Sequence, residues 1–122
     1  MPIPTLAEKL LWLKPAEPTP YETQCAARVL PGDYEIGLQT TNDILDEAME
    51  IFVRSSRSYF GVSGDSMVAI FTAGGDLINA SCGTYLHAII QPIVIKFILK
   101  YYSQNPGIRE GDIWYTNDAL YG

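Results

Sequence analysis

The chain has 122 residues, which is enough for roughly one domain. Apolar residues make up 48% and charged residues 18%, a balance that excludes a disordered chain, and two cysteines exclude a disulfide scaffold. Fourteen acids against eight bases give a net charge of -6, the opposite sign to a nucleic-acid binder.

The acidity is concentrated. Residues 1–50 carry nine of the acids and three of the bases, and residues 51–122 are balanced. The first part reads as solvated or partner-facing, the second as core. Met1-Pro2-Ile3-Pro4 lacks the basic, then apolar, pattern of a leader peptide. The most apolar stretch, Ala88 to Leu99, is short of the about 20 residues of a membrane span, and Gln91 and Lys96 interrupt it. Cys25 and Cys82 match no CxxC spacing. A cytoplasmic protein with reduced thiols and no membrane or nucleic-acid partner is expected.

Residues 1–41 form a proline-rich acidic arm containing six of the eight prolines. Proline removes a backbone donor and pushes its predecessor out of the helical region. A short helix over Thr5–Lys14, capped by Thr5 and stopped by Pro15, is predicted, with the rest extended or turning, and the arm as a whole is expected to lie across another chain. From Asn42 to Arg57, Ile44, Ala48, Ile51 and Phe52 recur at helical spacing. Acids near the start and Arg54 and Arg57 near the end complement the helix dipole.

Ser58–Ser66 reads as a loop, followed by a hairpin: Met67–Phe71, a glycine turn over Ala73–Asp76, and Leu77–Ala80. A long, mostly apolar helix over Thr84–Ser103 comes next, ended by Asn105-Pro106-Gly107. Asp112–Thr116 is a third strand candidate. The predicted fold class is α+β, a central helix packed on the hairpin and the further strand. On that helix, Lys96, Lys100 and Ser103 form a stripe suited to solvent, and His87 and Gln91 face away from it.

His87 is the only histidine, and alone it cannot make a metal site of three or four ligands. Its plainer reading is a buried imidazole bonded to Gln91 or to a backbone carbonyl. Gly61-Val62-Ser63-Gly64-Asp65-Ser66 matches neither a P-loop nor a nucleophile elbow and reads as an ordinary loop. Asn117-Asp118, after the third strand candidate, reads equally as a turn and as a place for a metal-binding carboxylate. Eight tyrosines suit a subunit interface or the margins of a core.

Four motifs in order carry a family resemblance. They are Asp43-Ile44-Leu45-Asp46-Glu47-Ala48, the hairpin from Val68 to Ile78, Tyr85-Leu86-His87, and Asn105-Pro106-Gly107-Ile108 through Gly111-Asp112-Ile113 into Asn117-Asp118. Over residues 42–122 the chain resembles the N-terminal part of a hydantoinase B/oxoprolinase-type subunit. The Asn-Pro-Gly-Ile and Gly-Asp-Ile wording is most like the ketone carboxylases, acetone carboxylase and acetophenone carboxylase. The resemblance implies an ATP-dependent carboxylation of a ketone methyl group with bicarbonate, in a hetero-oligomer. ATP would be bound by a hydantoinase A-type partner subunit, alongside other carboxylase subunits. It implies a divalent metal, Mn or Zn, with Asp118 beside the metal site and His87 as a catalytic residue lining the same region.

The family's Asn-Asp is followed by a small-residue turn and a His-x-x-Asp metal motif, and this sequence reaches Gly122 inside that turn. The chain is therefore expected to be an incomplete domain, inactive alone. Two alternatives remain at this stage: an ATP-dependent hydantoinase or oxoprolinase that hydrolyses a cyclic amide, and a non-catalytic docking module.

Overall fold

The computed structural model describes residues 3–117. In chain order they form α1 (Leu6–Trp12), α2 (Pro20–Ala26), α3 (Asp33–Ser55), α4 (Tyr59–Val62), β1 (Met67–Phe71), β2 (Leu77–Cys82) and α5 (Tyr85–Tyr102). The class is α+β, as the residue pattern implies.

Two threonines start the first two helices by the same device. The Thr5 hydroxyl accepts from the Glu8 amide at 3.2 Å, and the Glu8 carboxylate accepts from the Thr5 amide at 2.9 Å. Thr19 and Glu22 repeat this at 3.2 and 2.6 Å, with Pro20 in the first turn of α2. There proline's missing donor costs nothing. The arm is thus more helical than its prolines suggest, and α3 begins at Asp33 rather than at Asn42. Thr40 and Thr41 stay helical by donating their hydroxyls to the Ile36 and Gly37 carbonyls, at 2.8 and 2.7 Å.

β1 and β2 pair antiparallel, with Met67 opposite Cys82, Ala69 opposite Ala80, and an irregularity at Ile70–Phe71. The connecting turn closes through the Thr72 amide on the Asp76 carbonyl (2.8 Å) and the Gly75 amide on the Thr72 carbonyl (2.9 Å). Gly75 has φ +84° and sits on α5, where a Cβ would stand 3.0 Å from Ile95 and Lys96 side-chain carbons. Among the described residues the sheet has two strands. Residues 112–116, expected as a third, run without strand pairing.

Helix α3 lies on the hairpin through Leu45, which is 3% exposed. The Asn79 side-chain amide donates to Asn42 Oδ1 at 2.6 Å and fixes which face of α3 meets β2. Ile44 and Ile51, expected on the packed stripe, consequently point outward. On α5, Val94 and Phe97 are buried, Ile93 is half-buried and Ile89 is exposed.

The expected solvent stripe of α5 holds at Lys100 and Ser103, which are exposed, but Lys96 is covered. The Lys96 ammonium pairs with Asp76 and donates to the Trp12 and Lys14 carbonyls, both at 2.9 Å, leaving its side chain 11% exposed. The other Asp76 oxygen accepts from the Ala16 amide at 2.7 Å. Lys100 pairs with Glu8 at 2.6 Å, and Trp12 meets Phe97 edge-on at 6.3 Å between ring centroids. The start of the arm, expected across another chain, therefore lies across α5 of its own chain.

The accessible surface is 9230 Å2. A compact monomer of this mass would expose about 6500 Å2. Among the described residues only Leu45, Val94 and Phe97 are buried as large apolar side chains, and Tyr59, Tyr85 and Tyr115 stand more than four-fifths exposed.

Lys96→Met should cost about 3 kcal/mol in chemical denaturation, because it leaves Asp76 and two carbonyls facing an apolar chain. Lys100→Met should cost less, its pair being more exposed. Lys100 and the Thr5 amide hold the Glu8 carboxyl down to about 2, and Lys96 holds Asp76 below the usual carboxylate range. Depressed carboxylates contribute stability above their unfolded values and lose it on protonation. The melting temperature should therefore fall as the pH drops from about 4.5 toward 2, and Glu8→Gln should flatten that fall.

Candidate functional site

The loop leaving α4 and the junction from β2 into α5 meet face to face. Ser58 caps α4 by accepting from the Gly61 amide at 3.0 Å, so the expected loop contains one helical turn. The Asp65 amide donates to the Phe60 carbonyl at 2.9 Å, and the Gly83 amide to the Ser66 carbonyl at 3.0 Å. Gly83 packs so closely that a Cβ there would lie 1.7 Å from the Gly64 carbonyl oxygen.

This seam brings Asp65 over the start of α5. Asp65 Oδ1 accepts from the Thr84 hydroxyl at 2.8 Å and lies 3.1 Å from His87 Nε2. The Thr84 hydroxyl makes no capping bond to its own helix, so the Asp65 carboxylate supplies the negative charge that a helix N-terminus favours. Thr84, then His87, hold the Asp65 carboxyl below the ordinary aspartate range. The His87 and Asp65 side chains are 33% and 44% exposed, within reach of a small molecule.

His87 is thus neither fully buried nor bonded to Gln91, as its plainer reading had it. Its partner, Asp65, sits in the loop that reads as ordinary, and 22 residues separate the two, so no local spacing announces the pair. A carboxylate beside an imidazole can hold one ring nitrogen while the other exchanges protons. Farther along α5, Val94, Phe97, Ile98 and Tyr102 line a cleft of about 270 Å3 with Trp114, Tyr115 and Thr116. Tyr102 and Trp114 meet with tilted rings, 5.6 Å between centroids.

Asp118 lies outside the described residues, and Asn117 before it is exposed. Among the described residues no three His, Cys, Asp or Glu side chains converge on a metal position. Asp65 and His87 are two donors already bonded to each other. No helix among the described residues is long and apolar enough to cross a membrane.

Gly83→Ala should destabilise the chain by about 1–3 kcal/mol, because its methyl group would collide with backbone. Gly37→Ala meets open space in the second turn of α3 and should instead stabilise by about 0.5–1 kcal/mol. Equal effects at the two sites in thermal denaturation would contradict the close seam.

No family model matches the chain. It is 58% identical over 122 residues, its whole length, to the acetophenone carboxylase delta subunit of Aromatoleum aromaticum, and it spans 18% of that relative. The likeness supports the ketone-carboxylase resemblance carried by the motifs: the chain matches one part of an acetophenone carboxylase-like protein.

Proposed function

We propose that this chain is part of an ATP-dependent ketone carboxylase that joins bicarbonate to the methyl carbon of a ketone. The observation that carries the reading is the 58% identity along the whole chain to an acetophenone carboxylase subunit. The surface agrees with it. About 2700 Å2 beyond a compact monomer's expectation, rich in exposed Ile, Leu and Tyr, suits one wall of a larger assembly. Its partners are the remaining carboxylase subunits, among them a hydantoinase A-type subunit holding ATP, and its setting is the cytoplasm.

Carboxylation at a methyl carbon requires a proton to leave that carbon. His87 is proposed as the group that receives it; its partial exposure and its contact with Asp65 support that role. The cleft toward the other end of α5 suits the apolar substituent of the ketone. The described donors do not make a metal set, so no chemical step is assigned to a metal here. A divalent ion, Mn or Zn, is proposed only through Asp118, with its other ligands supplied by residues outside this segment.

The test is carboxylation by the complete, assembled enzyme, followed as labelled bicarbonate entering a methyl ketone in the presence of ATP. His87→Gln should lower turnover about 100-fold or more with unchanged circular dichroism. Asp118→Asn should lower bound metal or turnover about 10- to 100-fold. A wild-type assembly that carboxylates no ketone would contradict the function. Full turnover in His87→Gln would contradict only the role of the histidine.

A further inference from the structure

We propose that Asp65 is the positioning residue for His87: its carboxylate holds the Nε2–H form of the imidazole, so that Nδ1 is the nitrogen that accepts a proton from substrate. The direction of the hydrogen bond follows from the chemistry of the pair. An ionised carboxylate can only accept, so across the 3.1 Å contact Nε2 must be the donor. In the neutral ring one nitrogen carries the proton and the other is the acceptor, which leaves Nδ1 as the base. Thr84 donates to the same Asp65 oxygen, at 2.8 Å, and so fixes the carboxylate from a second side.

The pair is built rather than a chance meeting of surface charges. The Asp65 backbone is held by its amide on the Phe60 carbonyl, and its loop is tied to the helix start by the Gly83 amide on the Ser66 carbonyl and by the Gly64–Gly83 contact. Among the described residues Asp65 is the charged partner of His87, with no cation competing for the carboxylate. When a C–H bond next to the ketone carbonyl breaks, its proton passes to Nδ1. The electron pair remains on the substrate as the enolate, and Asp65 balances the new imidazolium at Nε2. The catalytic part of this inference rests on the proposed carboxylase function; the protonation state of the ring does not.

Nitrogen-15 histidine labelling of this chain within the assembled carboxylase, with the His87 signals identified by their loss in His87→Gln, reports the ring. In its neutral form, the ring should show a proton coupled to Nε2 and none on Nδ1. In Asp65→Ala the Nε2 proton should exchange too fast to be seen. In the complete carboxylase, Asp65→Ala should lower kcat about 10- to 100-fold with KM unchanged. Asp65→Asn, which keeps an acceptor oxygen but no charge, should fall between wild type and Asp65→Ala, and it serves where the alanine variant does not fold. A wild-type ring protonated on Nδ1 would overturn the proposal even if the enzyme is a carboxylase. The Nε2 proton in place, with kcat equal in wild type and both variants, would remove Asp65 from the reaction. A wild-type assembly without carboxylase activity would leave the Nε2 result standing and contradict the function alone.

Discussion

One ammonium group organises the fold. Lys96 lies within a mostly apolar helix and is covered on the side where solvent would be expected. Burying a charge is costly unless it is paired and hydrogen-bonded. Here a carboxylate and two carbonyls meet it. The carboxylate belongs to the hairpin turn, and the carbonyls belong to the last residue of α1 and to the segment just after it. The hairpin, the arm and α5 are thereby held to a single point, and the Ala16 amide on Asp76 continues the clasp along the chain. Around it only a small aromatic cluster is packed: Val94 and Phe97, with Trp12, Ile98, Tyr101 and Tyr102 against them.

The same helix serves two purposes at its two ends. Toward its C-terminus it carries the clasp and the aromatic cluster. At its N-terminus it presents Thr84 and His87 to Asp65. The two are linked by the hairpin, since β2 leads directly into α5 and its turn is pinned on Lys96. A shift of α5 along the hairpin would disturb both the packing and the imidazole. A side chain half-open to solvent keeps a defined position here because its supports are backbone contacts between two glycines.

Much of this was legible in the residues. Thr5 and Pro15 bracket α1, the glycine turn sits between its two strands, and the apolar run of α5 is central. Thr19-Pro20-Tyr21-Glu22 carries a helix start as plain as that of α1, but proline counted as a breaker hides it. The early part of α3 is hidden by Gly37, Thr40 and Thr41, which are poor helix formers locally and are held by their neighbours. Asp112–Thr116 has strand-like residues, but strand formation needs a pairing edge, and among the described residues it finds none. Lys96 looks solvent-facing by periodicity because periodicity cannot show that an arm eighty residues earlier will cover it. Asp65 is lost for the same reason: the loop and the helix meet only in the folded chain.

The arm belongs to this chain's own core through Lys96 and so holds α5 in register for His87. Backbone amide hydrogen exchange in the 122-residue chain tests it most directly. Residues 5–16 are predicted to exchange in step with α5, slowly in the wild type and together faster in Lys96→Met, with the Asp65–His87 seam loosening in the same variant. Residues 5–16 exchanging at the rate of an unfolded chain while α5 stays protected would contradict the account.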